Sequence, residues 1–72
     1  MTIGEAVSAL QAGQKVARAG WNGRDQRLTL QPPELHSKMT RPYVYLHTAD
    51  HQRVPWTCSQ TDLLADDWFV VQ

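Results

Sequence analysis

Lys15-Val16-Ala17-Arg18-Ala19-Gly20-Trp21-Asn22-Gly23, followed closely by Arg27-Leu28-Thr29-Leu30-Gln31, decides how this chain folds. Two stretches with strand-like residues flank an Asn-Gly pair. Asn-Gly is the strongest two-residue hairpin signal, because both turn positions must accept positive φ. The spacing predicts strands over 15–21 and 27–31. A two-residue loop would set Trp21 opposite Arg24, Ala17 opposite Leu28, and Arg18 opposite Arg27. Like charges that face each other destabilise a hairpin. Either a longer loop or bulge changes the register, or an anion sits between the arginines.

On the N-terminal side, Thr2-Ile3-Gly4-Glu5 fits a capping box, a hydroxyl N-cap with glutamate three residues on. Ile3, Ala6, Val7 and Leu10 follow helical spacing, and Gly13 stands where a C-terminal capping glycine belongs. A short helix over about 3–12 follows. On the C-terminal side, Pro32-Pro33 opens a loop that reaches Arg41. Tyr43-Val44-Tyr45-Leu46-His47 reads as a strand by its aromatic and β-branched content. Tyr43 and Tyr45 share one of its faces, a candidate subunit contact. Residues 48–52 turn the chain, and Arg53-Val54 returns as a short strand ended by Pro55. Ser59 suits an N-cap for a helix over about 60–65, with Asp62 favourable in its first turn. Trp68-Phe69-Val70-Val71 closes the chain as a strand with Trp68 in the core. The pattern is α+β: a small antiparallel sheet with a short N-terminal helix and a second short helix near the C-terminus, forming a single domain over 1–72.

At 72 residues, one core seldom supplies more than ~3–5 kcal/mol, and such chains lean on disulfides, metals or oligomerisation. Cys58 is the only cysteine, so no internal disulfide forms. His36, His47, His51 and Cys58 lack the paired spacing of a zinc site. Oligomerisation remains, and a homo-oligomer is expected. The lone thiol fits a reducing cytoplasm. Seven basic residues balance seven acidic ones, which lowers the expectation of long nucleic acid as a partner. No apolar run approaches the ~20 residues of a membrane span.

Three tryptophans, an arginine, an aspartate and several hydroxyls concentrate in 15–23 and 54–68, the composition of a small-molecule pocket. Trp21 supplies either a stacking platform for a base or a core ring behind the hairpin. Asp62 can accept hydrogen bonds from ribose hydroxyls or steady its helix. Arg18 can engage a phosphate bidentately or form a surface salt bridge. Ser59 and Thr61, with backbone amides at the helix start, can approach a phosphate, although Asp62 repels an anion there. Trp56 fits core and ligand roles equally, and Asn22 suits the turn. Asp66-Asp67 reads as a turn or cap. Catalysis would need a nucleophile with its base, or an acid–base pair. Nothing in the sequence brings Cys58 to a histidine, so no enzyme and no cofactor is expected.

The opening Met1-Thr2-Ile3-Gly4-Glu5-Ala6, the Gly13 to Gly23 block and the closing Val54-Pro55-Trp56…Asp66-Asp67-Trp68 block resemble the second type of the Thoeris anti-defence family of phages and prophages. The resemblance spans nearly the whole chain. It implies a sponge that binds a cyclic ADP-ribose isomer in the host cytoplasm without degrading it. It further implies a tetramer with pockets between subunits and, in some members, separate pockets for cyclic oligonucleotides. Trp21 and Asp62 would lie in the cyclic ADP-ribose pocket, with Arg18, Asn22, Trp56, Ser59 and Thr61 as neighbours. Relatives carry a longer insert where this chain has only 32–41, phenylalanine where it has Ile3, glycine where it has His51 and alanine where it has Cys58. The alternative is a non-catalytic structural or protein-interaction module, with its aromatic residues as interface anchors.

Overall fold

The computed structural model describes residues 1–23 and 25–72. Its elements are α1 (Ile3–Gln11), β1 (Lys15–Arg18), β2 (Arg27–Gln31), β3 (Tyr43–His47), β4 (Arg53–Pro55), α2 (Gln60–Leu64) and β5 (Trp68–Val71). The strands form one sheet in the order β4-β3-β2-β1-β5, and all neighbours are antiparallel. The α+β expectation holds, including both short helices.

Both caps of α1 follow from the sequence. The Thr2 hydroxyl accepts from the Glu5 amide while the Glu5 carboxylate accepts from the Thr2 amide, closing the capping box. At the far end Gly13 adopts φ 87°. Its amide donates to Leu10 O and the Gln14 amide to Ala9 O, both at 3.0 Å. These two bonds satisfy carbonyls that a helix terminus otherwise leaves open. Ala6, Ala9 and Leu10 face the sheet and meet Val16, Leu28 and Trp68 in the core.

The hairpin departs from its simplest expectation. β1 ends at Arg18, β2 begins at Arg27, and Val16 pairs with Leu28. Arg18 therefore does not oppose Arg27; its partner in the sheet is Trp68 of β5. A longer loop changes the register, and no bridging anion is needed. Asn22 and Gly23 do not take positive φ, as a two-residue Asn-Gly turn would require; among the described residues of this loop the left-handed conformation falls on Asp25 (φ 57°). The strand expected to run to Trp21 stops three residues early because residues 19–21 turn aside toward β5 and α2. The Ala19 amide donates to Asp67 O, and the Trp21 amide to Arg18 O.

Strand alternation gives the sheet two unlike faces. Val16, Leu28, Leu30, Val44, Leu46, Trp68 and Val70 lie on the helix side and belong to or pack against the core. Their strand neighbours Thr29, Tyr43, Tyr45, His47 and Phe69 alternate with them on the opposite face. Phe69 is 45% exposed there. Pro55, which lacks an N–H, closes β4 at the sheet edge, where strand proline is tolerated.

Candidate functional site

Sequence places Arg18 at the last position of β1, Trp21 in the loop after it, Asp62 in the first turn of α2 and Asp67 just before β5. The fold brings all four together. Arg18 Nη1 donates to Asp62 Oδ1 at 2.8 Å, and its Nε donates to Asp67 Oδ1 at 2.7 Å. Trp21 Nε1 donates to the same Asp62 Oδ1 at 3.1 Å. Asp67 Oδ2 also accepts from the Gly20 amide at 2.8 Å. The side chains of Arg18 and Asp62 are only 14% and 13% exposed, and that of Asp67 is 30% exposed.

Burial opposes ionisation of Asp62, yet hydrogen bonds from Arg18 and Trp21 outweigh it and hold its pKa below the ordinary 3.8. The bond from Arg18 holds Asp67 below that value as well, with the Gly20 amide assisting. The guanidinium is correspondingly pushed up by Asp67 and then by Asp62. Charge-assisted bonds of this kind are the strong ones. One cation against two carboxylates leaves the cluster with a formal charge of −1. Such a cluster favours a donor, such as a hydroxyl or N–H, over an anion.

The indoles form a row. Trp68, 2% exposed, meets Trp21 edge to face at a centroid distance of 5.4 Å and Trp56 at 6.0 Å. Edge-to-face pairs contribute about 0.5–1.5 kcal/mol each beyond area burial. Trp68 Nε1 donates to Asp62 O, tying α2 to the row. Trp21 and Trp56 are half-buried, so each is both packed and presented. The two roles weighed for Trp21 are thus compatible.

The other expected site residues lie at the margin. The Ser59 hydroxyl accepts from the Asp62 amide at 3.0 Å and caps α2. Thr61 and Asn22 are exposed. A cleft of about 250 Å³ runs beside Trp21, lined by Ala17, Arg18, Gly23, Gln26 and Phe69 among others. Asp62, Trp56, Ser59 and Thr61 do not line it. Asp67 and Trp68 were absent from the sequence-based site. Asp67 stands immediately before the residue that pairs with Arg18, but that pairing is invisible until β5 is known to flank β1.

This architecture is that of a small α+β protein, with one antiparallel sheet and a Trp21–Asp62 contact at its end. Residues 1–71 match the Thoeris anti-defense 2-like domain, and the chain belongs to that family. A relative named Thoeris anti-defense 2, from Bacillus phage SP01, is 32% identical over 84 residues, covering 99% of this chain and 94% of the relative. The matched span exceeds this chain's 72 residues, so the relative carries residues that this chain lacks. Among the described residues, no helix is long and apolar enough to cross a membrane.

Proposed function

We propose that this protein is a phage anti-defence sponge, which captures a cyclic ADP-ribose isomer in the host cytoplasm and withholds it from an immune effector without cutting it. One observation carries the reading: the Trp21 indole and the Arg18 guanidinium converge on one oxygen of Asp62. A carboxylate has lone pairs beyond those two bonds, with which Asp62 can accept from a ribose hydroxyl beside a half-exposed aromatic ring. Arg18 is spent on two carboxylates, so its role is to orient Asp62 rather than to bind the pyrophosphate. Trp56, Ser59, Thr61 and Asn22 then form the outer rim.

The cleft beside Trp21 does not reach Asp62 and is smaller than the ~300–1,000 Å³ usual for sites that enclose small molecules, so it is at most one side of the site. A second copy of the chain supplies the missing wall in this reading. The uncovered sheet face, with Tyr43, Tyr45 and Phe69, suits contact between copies, because tyrosine buries its ring while its hydroxyl stays paired. Assembly as a tetramer and binding of cyclic oligonucleotides at further pockets belong to the same proposal.

Calorimetry with cyclic ADP-ribose isomers and with cyclic di- and trinucleotides tests it. Tight binding, with intact ligand recovered after heat denaturation, is expected. Ligand recovered in altered form would overturn the non-catalytic reading. Trp21→Ala and Asp62→Ala should each abolish binding with the oligomer intact. Binding of no nucleotide, together with capture of a protein through the tyrosine face, would favour an interaction module instead.

A further inference from the structure

Trp21 reaches Asp62 from a loop, and a loop ring needs something to hold it. The residues around it show what does. Asp67 accepts from Arg18 Nε through Oδ1 and from the Gly20 amide through Oδ2, so one carboxylate grips both the strand end and the residue before Trp21. Its own carbonyl accepts from the Ala19 amide. Arg18, fixed in this way, presents Nη1 to the Asp62 oxygen that Trp21 Nε1 also uses. The packing is close: a Cβ added at Gly20 would lie 3.0 Å from Asp67 Oδ2 and 3.3 Å from Arg18 Nη2.

We infer that Asp67 is the positioning residue of the site, setting the loop at 19–21 and the Arg18 guanidinium so that the Trp21 ring and the Asp62 carboxylate hold a fixed mutual geometry. This deepens the proposed sponge reading and touches no ligand itself. A carboxylate is needed because two oxygens must accept at once from two directions. An amide in its place offers one acceptor oxygen and places an NH2 group, a donor, against either a guanidinium or a backbone N–H. Asp67→Asn should therefore release one of the two grips. Gly20→Ala should disturb the same pair with the carboxylate retained.

The decisive readout needs no ligand. Proton exchange at the three indole N–H groups is followed by NMR in the full-length wild-type protein, Asp67→Asn, Asp67→Glu and Gly20→Ala. Exchange at Trp21 should quicken at least tenfold in Asp67→Asn and in Gly20→Ala. Trp68, whose N–H is held by Asp62 O, should change less than twofold. Asp67→Glu, which keeps both acceptor oxygens, should restore part of the protection. An unchanged Trp21 rate, or equal acceleration at Trp21 and Trp68, would overturn the assignment, the latter by showing a loss of stability without local positioning. Calorimetry with a cyclic ADP-ribose isomer adds the functional arm: affinity should fall at least tenfold in Asp67→Asn with the oligomer unchanged. If the wild type binds no such ligand, the sponge reading fails while the exchange result still decides the role of Asp67.

Discussion

The two faces of the sheet handle their arginines in opposite ways. On the helix side Arg18 is enclosed by two carboxylates and joined to an indole through a shared oxygen. On the other face Arg27 and Arg53 flank His47 along one row of the sheet, with Arg53 over the Tyr45 ring at 5.9 Å. Among the described residues, neither Arg27 nor Arg53 is in a salt bridge. Where the arginine is paired with carboxylates, the structure can hold a defined geometry at low exposure. Where it is not, the surface stays open to something that brings its own charge or its own apolar area.

The largest effect separates the faces by packing. Leu28, 1% exposed, should cost about 2–5 kcal/mol when cut to alanine. Thr29→Ala, one residue along on the opposite face, should cost no more than about 1 kcal/mol in an isolated chain. Denaturant titration measures both. A comparable loss at Thr29 would show that the open face is covered in solution.

Removing the α2 cap with Ser59→Ala should cost about 1 kcal/mol, because the Asp62 amide loses its acceptor. The turn between β3 and β4 offers a gain of similar size on the other side of the molecule. His51 occupies φ 66°, and left-handed backbone burdens a side-chain-bearing residue by about 1–2 kcal/mol. His51→Gly should raise the thermal midpoint, and a lower midpoint would mean that its edge-to-face contact with His47 at 5.8 Å outweighs the strain.

Acid titration sharpens the contrast through slope alone. Burial, then Arg27, His51, Arg53 and Lys15, depress His47 below its ordinary 6.5. The unfolded chain binds more protons there, so stability is full above about pH 6.5 and declines as pH falls through the lower folded value. Asp62 and Asp67, held below 3.8, add a second loss as pH drops through their own folded values. Arg27→Gln should flatten the first limb and leave the second unchanged. If both limbs moved together, the two faces would be electrostatically coupled.

Much of the scaffold was legible because its cues are local. The Thr2–Glu5 box, Gly13, the Tyr43–His47 alternation and the Ser59 cap each act within one turn or strand, and each formed as expected. The hairpin register was not legible, since an Asn-Gly pair has no turn of its own when neighbouring residues are drawn off by β5. Trp21 and Asp62 came together through family resemblance, not spacing. Asp67 looked like a plain turn residue because its meaning depends on which strand lies beside β1.

That sheet order also governs when the protein can exist at all. β5, which flanks β1, is synthesised after the other four strands, and the bonds that tie Arg18 and Trp21 to Asp62 and Asp67 span 41 to 49 residues of chain. Distant pairings repay their loop-closure cost only at the end of folding. A nascent chain that already displays its first helix and hairpin therefore has no cluster at Arg18. The cluster arrives in a single late event, as β5 slots against β1.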